Sequence, residues 1–421
     1  MKDKEYTQLL AFVKDRIQQA QVKTVAVANS QMLWLYWQLG NTILASQARK
    51  GWGAKVIDLL SADLKNEFPQ MKGFSARNML YMKQFAETYN LDIIQAYNFM
   101  EGKMKAANPM SQTLAKELLT IEKGHVQLTQ QPVALIRNTS DQAIPQQPVA
   151  ELQNTDSQHI EFTQQAVAQL EESVFLASII SKISWSHHVV LMDKEPHLGK
   201  RLWYMLNSLE NGNSRNILAM QIQSGLFERQ VTSTKINNFT KTLPPIQSDF
   251  ANYLLKDPYI FDFVQAKEKA DERNIEEQLT HHVTKFLLEL GQGFAFIGRQ
   301  VHFEIGNQDF YADLLFYHTK LHCYVVVELK ARPFEPGDAS QLNFYVNVVN
   351  DKMKSSHDND TIGLLLCKGK NEVVAEYALK GYSSAIGVSD YQFSKAIPDE
   401  LKSALPQIED IEKEFEDIDN G

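Results

Sequence analysis

Apolar residues recur at helical spacing through residues 5–105 and again through 173–245. The clearest runs are LLAFVKDRI, MLWLYWQLGNTIL, VIDLLSADLKNEF, NMLYMKQFAETY and KRLWYMLNSLE. Gly40, Gly51, Gly53, Pro69 and Gly73 interrupt this pattern, and glycine and proline commonly mark the ends of helices. We therefore expect one all-α domain built from both ranges, with helix ends near these residues.

A different pattern covers residues 266–396. A helical run, NIEEQLTHHVTKFLLELG, precedes three strand-like runs, FAFIGRQVHFEIG, FYADLLFYH and CYVVVELK. A helix from Asp338, the strand TIGLLLCK, the helix VVAEYALKG and the strand AIGVSDYQF follow. This order predicts a second domain of α/β or α+β class with a mixed sheet, so that the whole chain is multi-domain.

Residues 106–172 are rich in Gln, Asn, Thr and Ser, and they repeat themselves. LIRNTSDQAIPQQPVA is followed by LQNTDSQHIEFTQQAVA, with an earlier QQPVA before both. A repeat without a strong apolar face cannot offset the entropy of ordering, so we predict a flexible Gln-rich insert that loops out of the helical domain. A solenoid is the alternative, although the copies are few for stacking.

The formal net charge of −9 is unevenly distributed. Residues 400–421 hold eight acids and two lysines, a net of −6, so the rest of the chain carries only −3. We treat 397–421 as an acidic tail. Because phosphate binding needs local rather than global positive charge, composition does not exclude a nucleic acid partner.

Cysteine usage and hydropathy indicate a cytoplasmic location. The two cysteines, Cys323 and Cys367, each lie in a run that is typical of a buried strand, as expected in a reducing compartment. The charged, amphipathic N-terminus does not have the pattern of a secretory signal, and no run is long and apolar enough for a membrane span. We expect no membrane partner.

Candidate chemistry lies in FYADLLFYHTKLHCYVVVELK. The polar segment at its centre is typical of a hairpin turn. If that turn is centred between Lys320 and Leu321, Asp313 and Glu328 are equally far from the centre and therefore directly opposite, with Cβ atoms about 4.5–5.5 Å apart. Since side chains alternate along a strand, Lys330 shares the face of Glu328.

Two opposed carboxylates destabilise a sheet, and Glu328 follows three consecutive valines in a strand that is predicted to be buried. A divalent cation bound by carboxylate oxygens would compensate, and Lys330 could then hold or deprotonate the attacking water. The alternative for so short a pattern is an edge hairpin with a solvated Asp and a surface Glu–Lys pair. The apolar flanks favour the catalytic interpretation. So does the hairpin parity, by which we mean that Asp313 and Glu328 are equally far from the centre of the turn.

At this point the chain resembles a known family. The runs FLLELGQGFAFIGRQ, DFYADLLFYH, VVVELK, QLNFY and TIGLLLCK resemble, in that order, the C-terminal nuclease domain of the YhcG-type nucleases. The helical part resembles the domain of unknown function that usually precedes it. The resemblance implies a PD-(D/E)xK, restriction-endonuclease-like fold and phosphodiester hydrolysis with Mg²⁺, for which Mn²⁺ substitutes.

The resemblance also implies roles for individual residues. Asp313 and Glu328 match the metal ligands of the family, and Lys330 matches its catalytic lysine. Glu276, on the preceding helix, fits the accessory acid better than Glu277 does.

Further residues have two open interpretations. Gln341 and Tyr345 share one face of the next helix. Gln341 either contacts the lysine or a phosphate, as in this nuclease class, or completes a capping box with Asp338. Arg299, with Gln300 beside it, either meets a phosphate or ends a strand in solvent. We treat Tyr345 and Arg299 as candidate nucleic acid contacts.

The helical part contains a candidate helix-turn-helix. IDLLSADLKNEFP and SARNMLYMKQFAETY are two helical runs joined by a short turn. Ser75 would cap the second helix and place Arg77 and Asn78 in its first turn, which reaches base edges in helix-turn-helix proteins. A helix pair that does not contact DNA is the alternative.

Together these features predict a Mg²⁺-dependent endonuclease of bacterial type, acting in recombination, repair or defence. We expect DNA rather than RNA as its substrate, because no residue is recognisable as a reader of the 2′-hydroxyl. The alternative is a non-catalytic nucleic-acid-binding or assembly factor that retained the nuclease fold. The helical domain is a candidate surface for binding a protein partner or for forming a homo-oligomer.

Overall fold

The computed structural model describes residues 4–50, 55–70, 73–106, 112–121, 168–261, 263–264 and 271–393. Its contacts divide the chain into two compact units, residues 1–103 with 117–219 and residues 104–116 with 220–421. Among the described residues, none of the helices combines the length and the apolar character that crossing a membrane requires.

The chain is helical up to residue 232 wherever it is described. The elements are α1 (Lys4–Lys50), α2 (Lys55–Glu67), α3 (Ala76–Thr88), α4 (Leu91–Ala106), α5 (Gln112–Leu118), a helical stretch over 168–177, a 3₁₀ turn (Ile179–Lys182), α6 (Trp185–Lys194), α7 (Leu198–Asn211), α8 (Arg215–Gln223) and a π turn (Glu228–Thr232). The prediction of an all-α first part is confirmed.

Gly40 lies inside α1, so the helix end predicted there is wrong. A Cβ placed on Gly40 would come within 2.1 Å of the carbonyl oxygen of Met82 in α3. The missing side chain therefore lets two helices pack closely. Pro69 and Gly73 do separate α2 from α3, as predicted.

Part of the predicted insert is folded. Residues 112–118 form α5, in which Leu114 and Leu118, four residues apart on one face, are buried, and Ile121 after the helix is buried too. The prediction of a flexible segment is therefore wrong for this stretch, whose few apolar residues are concentrated on one side. Residues 168–172, at the other end of the predicted insert, belong to the helical stretch over 168–177, so the prediction is wrong there too. The rest of the predicted insert, 107–111 and 122–167, and the acidic tail, 397–421, lie outside the described residues.

The second unit is built on a mixed sheet with helices on both faces. Its elements are β1 (Ile236–Asn237), α9 (Phe239–Thr242), α10 (Pro245–Leu254), β2 (Tyr259–Ile260), α11 (Glu272–His281), α12 (Val283–Leu290), β3 (Phe294–Ile305), β4 (Gln308–His318), β5 (Cys323–Lys330), α13 (Pro336–Lys352), β6 (Ile362–Cys367), α14 (Glu372–Ala378) and β7 (Ala385–Gln392). The order of elements from α11 to β7 confirms the prediction from the sequence.

The strands follow the order β1-β7-β6-β5-β4-β3, with β2 paired separately to β7. β3, β4 and β5 are antiparallel, whereas β5, β6 and β7 are parallel. Because side chains alternate, β5 contributes to two cores. Val325, Val327 and Leu329 pack with α10, α11 and α12, and Val326 packs with α13.

Two boundaries differ from those predicted. β1 pairs with β7 through Ile236↔Val388, so the helical domain ends before this strand and not at residue 245. A strand of two residues is too short to show a period. The single helix predicted after residue 270 is instead two helices, α11 and α12, which meet at His282.

Candidate active site

Asp313 and Glu328 lie where β4 and β5 stop pairing. The ladder runs from His318↔Cys323 to Leu314↔Val327, which confirms the predicted register. Beyond Leu314, Asp313 Oδ2 accepts a hydrogen bond from the Leu329 backbone N–H at 3.0 Å. A side chain thus replaces the next ladder bond and holds the Asp313 carboxylate at the opening between the two strands.

Glu328 is a buried carboxyl group with one unsatisfied oxygen. Its side chain is 1% exposed. Oε1 accepts hydrogen bonds from Gln341 Nε2 at 2.8 Å and from Lys330 Nζ at 3.2 Å. Oε2 is buried without a hydrogen-bond partner. Burial, and then the charge of Asp313, raises the pKa of Glu328 to about 8, while Lys330 lowers it.

Lys330 follows Glu328 on the same face of β5, as alternation predicts. Its side chain is 12% exposed, and Nζ donates to Glu328 Oε1 at 3.2 Å and to Gln341 Oε1 at 3.1 Å. An ammonium group has three N–H donors. One donor therefore remains for a water molecule or a substrate oxygen.

Gln341 contacts the two catalytic candidates on β5 instead of capping its own helix. The cap involves the Asp338 carboxylate, which accepts from the Glu335 backbone N–H at 2.9 Å, and α13 begins two residues before Asp338. The prediction of a cap made by Asp338 and Gln341 is therefore wrong. The Gln341 amide is free to bridge Glu328 and Lys330.

A second carboxyl group approaches Asp313 from α11. The Glu276 side chain is 2% exposed, and its Oε2 accepts from Gln300 Nε2 at 2.6 Å. The same Gln300 nitrogen donates to Asp313 Oδ1 at 3.2 Å. Arg299 Nε lies 3.3 Å from Glu276 Oε1 but outside hydrogen-bond geometry, so this is an ion pair only. Burial, with a contribution from Asp313, raises the pKa of Glu276 to about 7.

The two predicted nucleic acid contacts near this site differ in accessibility. Tyr345 is 7% exposed, and its neighbours are the Gln341 side chain and the Tyr311 backbone. The ring of Tyr345 therefore packs into the core beside the site, and its contact with nucleic acid stays a prediction. The Arg299 side chain is 35% exposed, so its contact with a phosphate stays a prediction.

The electrostatics of the site favour a cation. Burial raises the pKa of Glu276, Asp313 and Glu328 alike, which means that their negative charges are incompletely compensated. Within the described part of the chain, no three His, Cys, Asp or Glu side chains form a complete metal cage. Mg²⁺ does not need one, because it is usually held by one or two carboxylates together with water and substrate phosphates. The buried, unsatisfied oxygen of Glu328 next to Asp313 fits that requirement.

Comparison with protein families agrees with this geometry. Residues 252–406 match the family model of the YhcG PDDEXK nuclease domain, and residues 12–101 and 149–229 match that of the DUF1016 N-terminal domain. The chain carries a DUF1016 N-terminal domain and a YhcG-type PDDEXK nuclease domain. The mixed sheet therefore has the restriction-endonuclease-like fold, and the substrate class is nucleic acid.

Similarity to a curated relative extends over both domains. The chain is 28% identical over 405 residues to YhcG of Escherichia coli (strain K12), which is provisionally described by its name as a nuclease. The alignment covers 95% of this chain and 92% of that protein. A repair endonuclease from Pyrococcus abyssi, known from its crystal structure, is similar over 31% of this chain and 50% of its own, with 17% identity and a TM-score of 0.22.

In the DUF1016 domain, the predicted cap of α3 is confirmed but one predicted base contact is wrong. Ser75 Oγ accepts from the Asn78 backbone N–H at 3.2 Å. Asn78 is 7% exposed, donates to Gly73 O at 2.6 Å and accepts from Trp185 Nε1 at 2.7 Å. Both the nitrogen and the oxygen of its amide are therefore held inside the domain. Arg77 is exposed, and its contact with DNA stays a prediction.

Two polar contacts of the nuclease domain were missed from the sequence. Gln300 bridges Glu276 and Asp313, and Glu272 Oε1 accepts from the Ala331 backbone N–H at 2.8 Å. Applying hairpin parity to the Gly-Asn turn between β3 and β4 would have found Gln300, since Ile305↔Gln308 sets a register in which it faces Asp313. Glu272 had no such signal, because its contact depends on how α11 crosses the sheet.

Proposed function

We propose that the nuclease domain hydrolyses phosphodiester bonds in DNA and that the reaction requires Mg²⁺, with Mn²⁺ as a substitute. The observation that carries this proposal is the buried Oε2 atom of Glu328. This oxygen has no hydrogen-bond partner, although Asp313 and Lys330 are close to the Glu328 carboxyl group. A buried carboxyl oxygen without a hydrogen-bond partner is costly in a structural role. It is expected where the charge is used for binding or chemistry.

Asp313 and Glu328 are the residues that would hold the cation. The Leu329 N–H orients the first of them, and Gln341 orients the second. A bound Mg²⁺ would polarise a phosphoryl oxygen and lower the pKa of a coordinated water. These supporting hydrogen bonds fix the two carboxylates before substrate arrives, so little reorganisation is needed.

Lys330 and Glu276 supply the remaining chemistry. Lys330 keeps one N–H donor for the attacking water or for a phosphate oxygen, where its positive charge stabilises the negative charge that develops on phosphorus oxygens. Glu276, with a pKa of about 7, exchanges a proton readily near neutral pH and is proposed as the accessory acid.

The test is incubation of the purified full chain with supercoiled, linear, branched and single-stranded DNA and with RNA, each in Mg²⁺ and in EDTA. We expect cleavage of DNA in Mg²⁺, none in EDTA, and little cleavage of RNA. Cleavage that persists in EDTA would contradict metal dependence, and cleavage of RNA alone would contradict the proposed substrate. A role in recombination, repair or defence stays a prediction.

A further inference from the structure

Gln300 has an unusual backbone conformation for a residue inside a strand. Its φ is +48°, and it lies between the ladder pairs Arg299↔Leu314 and Val301↔Ala312, opposite Asp313. The other described non-glycine residues with positive φ, Asn307 and His322, lie in the turns that join β3 to β4 and β4 to β5. Left-handed backbone at a long side chain costs free energy and persists where the surroundings enforce it.

That conformation directs one amide nitrogen toward two acids. Gln300 Nε2 donates to Glu276 Oε2 at 2.6 Å and to Asp313 Oδ1 at 3.2 Å. The second oxygen of Asp313 is already held by the Leu329 N–H. Gln300 therefore fixes the remaining freedom of Asp313 and links it to the accessory acid on another element.

A neutral amide is well suited to this task. Two carboxylates this close repel each other, and the charge of Asp313 adds to the effect of burial in raising the pKa of Glu276. An N–H donor shared between them reduces the repulsion and sets their spacing without adding a charge. A lysine at this position would instead compete with a cation for the same oxygens.

We infer that Gln300 is a positioning residue, one that sets the spacing of Glu276 and Asp313 and thereby makes the site selective for Mg²⁺. This inference rests on the proposed function. Mg²⁺ demands nearly ideal octahedral geometry, whereas Ca²⁺ accepts more ligands at longer and more variable distances. Loosening Asp313, one of the two proposed cation ligands, should therefore weaken Mg²⁺ binding much more than Ca²⁺ binding.

The test compares the full-length parent with Gln300→Gly, Gln300→Asn and His322→Gly. Glycine accepts the left-handed backbone without strain, so Gln300→Gly removes only the amide. Asparagine tolerates the same backbone but is too short to span both acids. His322→Gly is the matched control, since His322 has the same φ of +48° in an exposed turn. Thermal midpoints are measured against increasing Mg²⁺ and Ca²⁺ to obtain dissociation constants, and Mg²⁺-supported cleavage is measured in parallel.

We expect both Gln300 variants to lose Mg²⁺ affinity by about 10- to 100-fold, the usual effect of removing a hydrogen bond that orients a metal ligand. Their Ca²⁺ affinity should change by less than about threefold, their cleavage in Mg²⁺ should fall, and His322→Gly should match the parent. If the Gln300 variants lose equal affinity for both cations, or none for either, the inference is overturned. The proposed function would still stand in that case, provided that the parent binds Mg²⁺. A parent that binds neither cation would overturn both.

Discussion

The Glu328 carboxyl group shows how its surroundings decide the behaviour of a single residue. Its side chain is 1% exposed. It lies on the face of β5 that also carries Val326, which packs in the hydrophobic core with the apolar side of α13. Lys330 and Gln341 satisfy one oxygen, and the other has no partner. In the absence of a cation, ionising this group therefore costs free energy in the folded state.

This cost gives stability a defined pH dependence. The pKa of Glu328 is raised from 4.5 to about 8, so the folded state binds its proton more tightly than the unfolded state does. Protonated Glu328 therefore contributes favourably to the free energy of unfolding below the pKa of the unfolded state. This contribution is lost as pH rises through the pKa of the folded state. In EDTA, the thermal midpoint of the parent should fall between pH 5 and pH 8, and the fall should be shallower for Glu328→Gln.

The exposed neighbour of Glu276 provides the control for that measurement. Glu277→Gln removes an acid from the surface of α11 and should follow the parent at every pH. Identical slopes for the parent and Glu328→Gln would show that burial of this carboxyl group does not govern the pH dependence.

Individual residues were predictable where a short-range rule applied. Hairpin parity placed Asp313 opposite Glu328, and strand alternation placed Lys330, because both rules depend only on local geometry. The side chain of Asn78 was misassigned, since its burial depends on Trp185, which is distant in sequence. Hairpin parity would have placed Gln300 opposite Asp313, but its left-handed backbone angle does not follow from the pattern of residue types.

At the scale of elements, the contact of α1 with α3 depends on Gly40. A Cβ there would meet the Met82 carbonyl oxygen at 2.1 Å and the Ala86 Cβ at 2.7 Å. Helix propensity alone favours alanine over glycine by about 0.5–1 kcal/mol. Overpacking against a backbone atom costs about 1–3 kcal/mol, so the steric effect should dominate.

Gly40→Ala should therefore lower the free energy of unfolding by roughly 1–2 kcal/mol, measured as a decrease in thermal midpoint. Gly102→Ala is the matched control in α4, where a Cβ would meet nothing within 4 Å. It should stabilise the helix by about 0.5–1 kcal/mol. A rise in midpoint for Gly40→Ala would contradict the close packing of α1 on α3.

The long elements could be predicted, and the short ones could not. Strands β3 to β7 each contain enough alternating or continuous apolar residues to show their period. β1 and β2 have two residues each and are defined by their partner β7. The break at His282 was also hidden, because the apolar spacing continues through it into α12.

At the scale of the whole molecule, the order of domains was predictable from composition and periodicity, whereas their limits were not. The DUF1016 match resumes at residue 149, and the nuclease match begins at residue 252. Helix α5 lies between the two parts of the DUF1016 match and folds although its surroundings are rich in polar residues. Composition averaged over a long window conceals one short amphipathic helix.

In the proposed mechanism, Glu328 would hold a cation while Lys330 acts on the reacting atoms. The most direct measurement is calorimetric Mn²⁺ titration of the full-length parent, Glu328→Gln and Lys330→Met, together with plasmid nicking in Mg²⁺. We predict that Glu328→Gln loses both Mn²⁺ binding and nicking. Lys330→Met should keep Mn²⁺ affinity within about threefold of the parent and lose about 10²- to 10⁴-fold in nicking rate. Parental nicking by Glu328→Gln, or loss of Mn²⁺ affinity in Lys330→Met alone, would contradict the assignment.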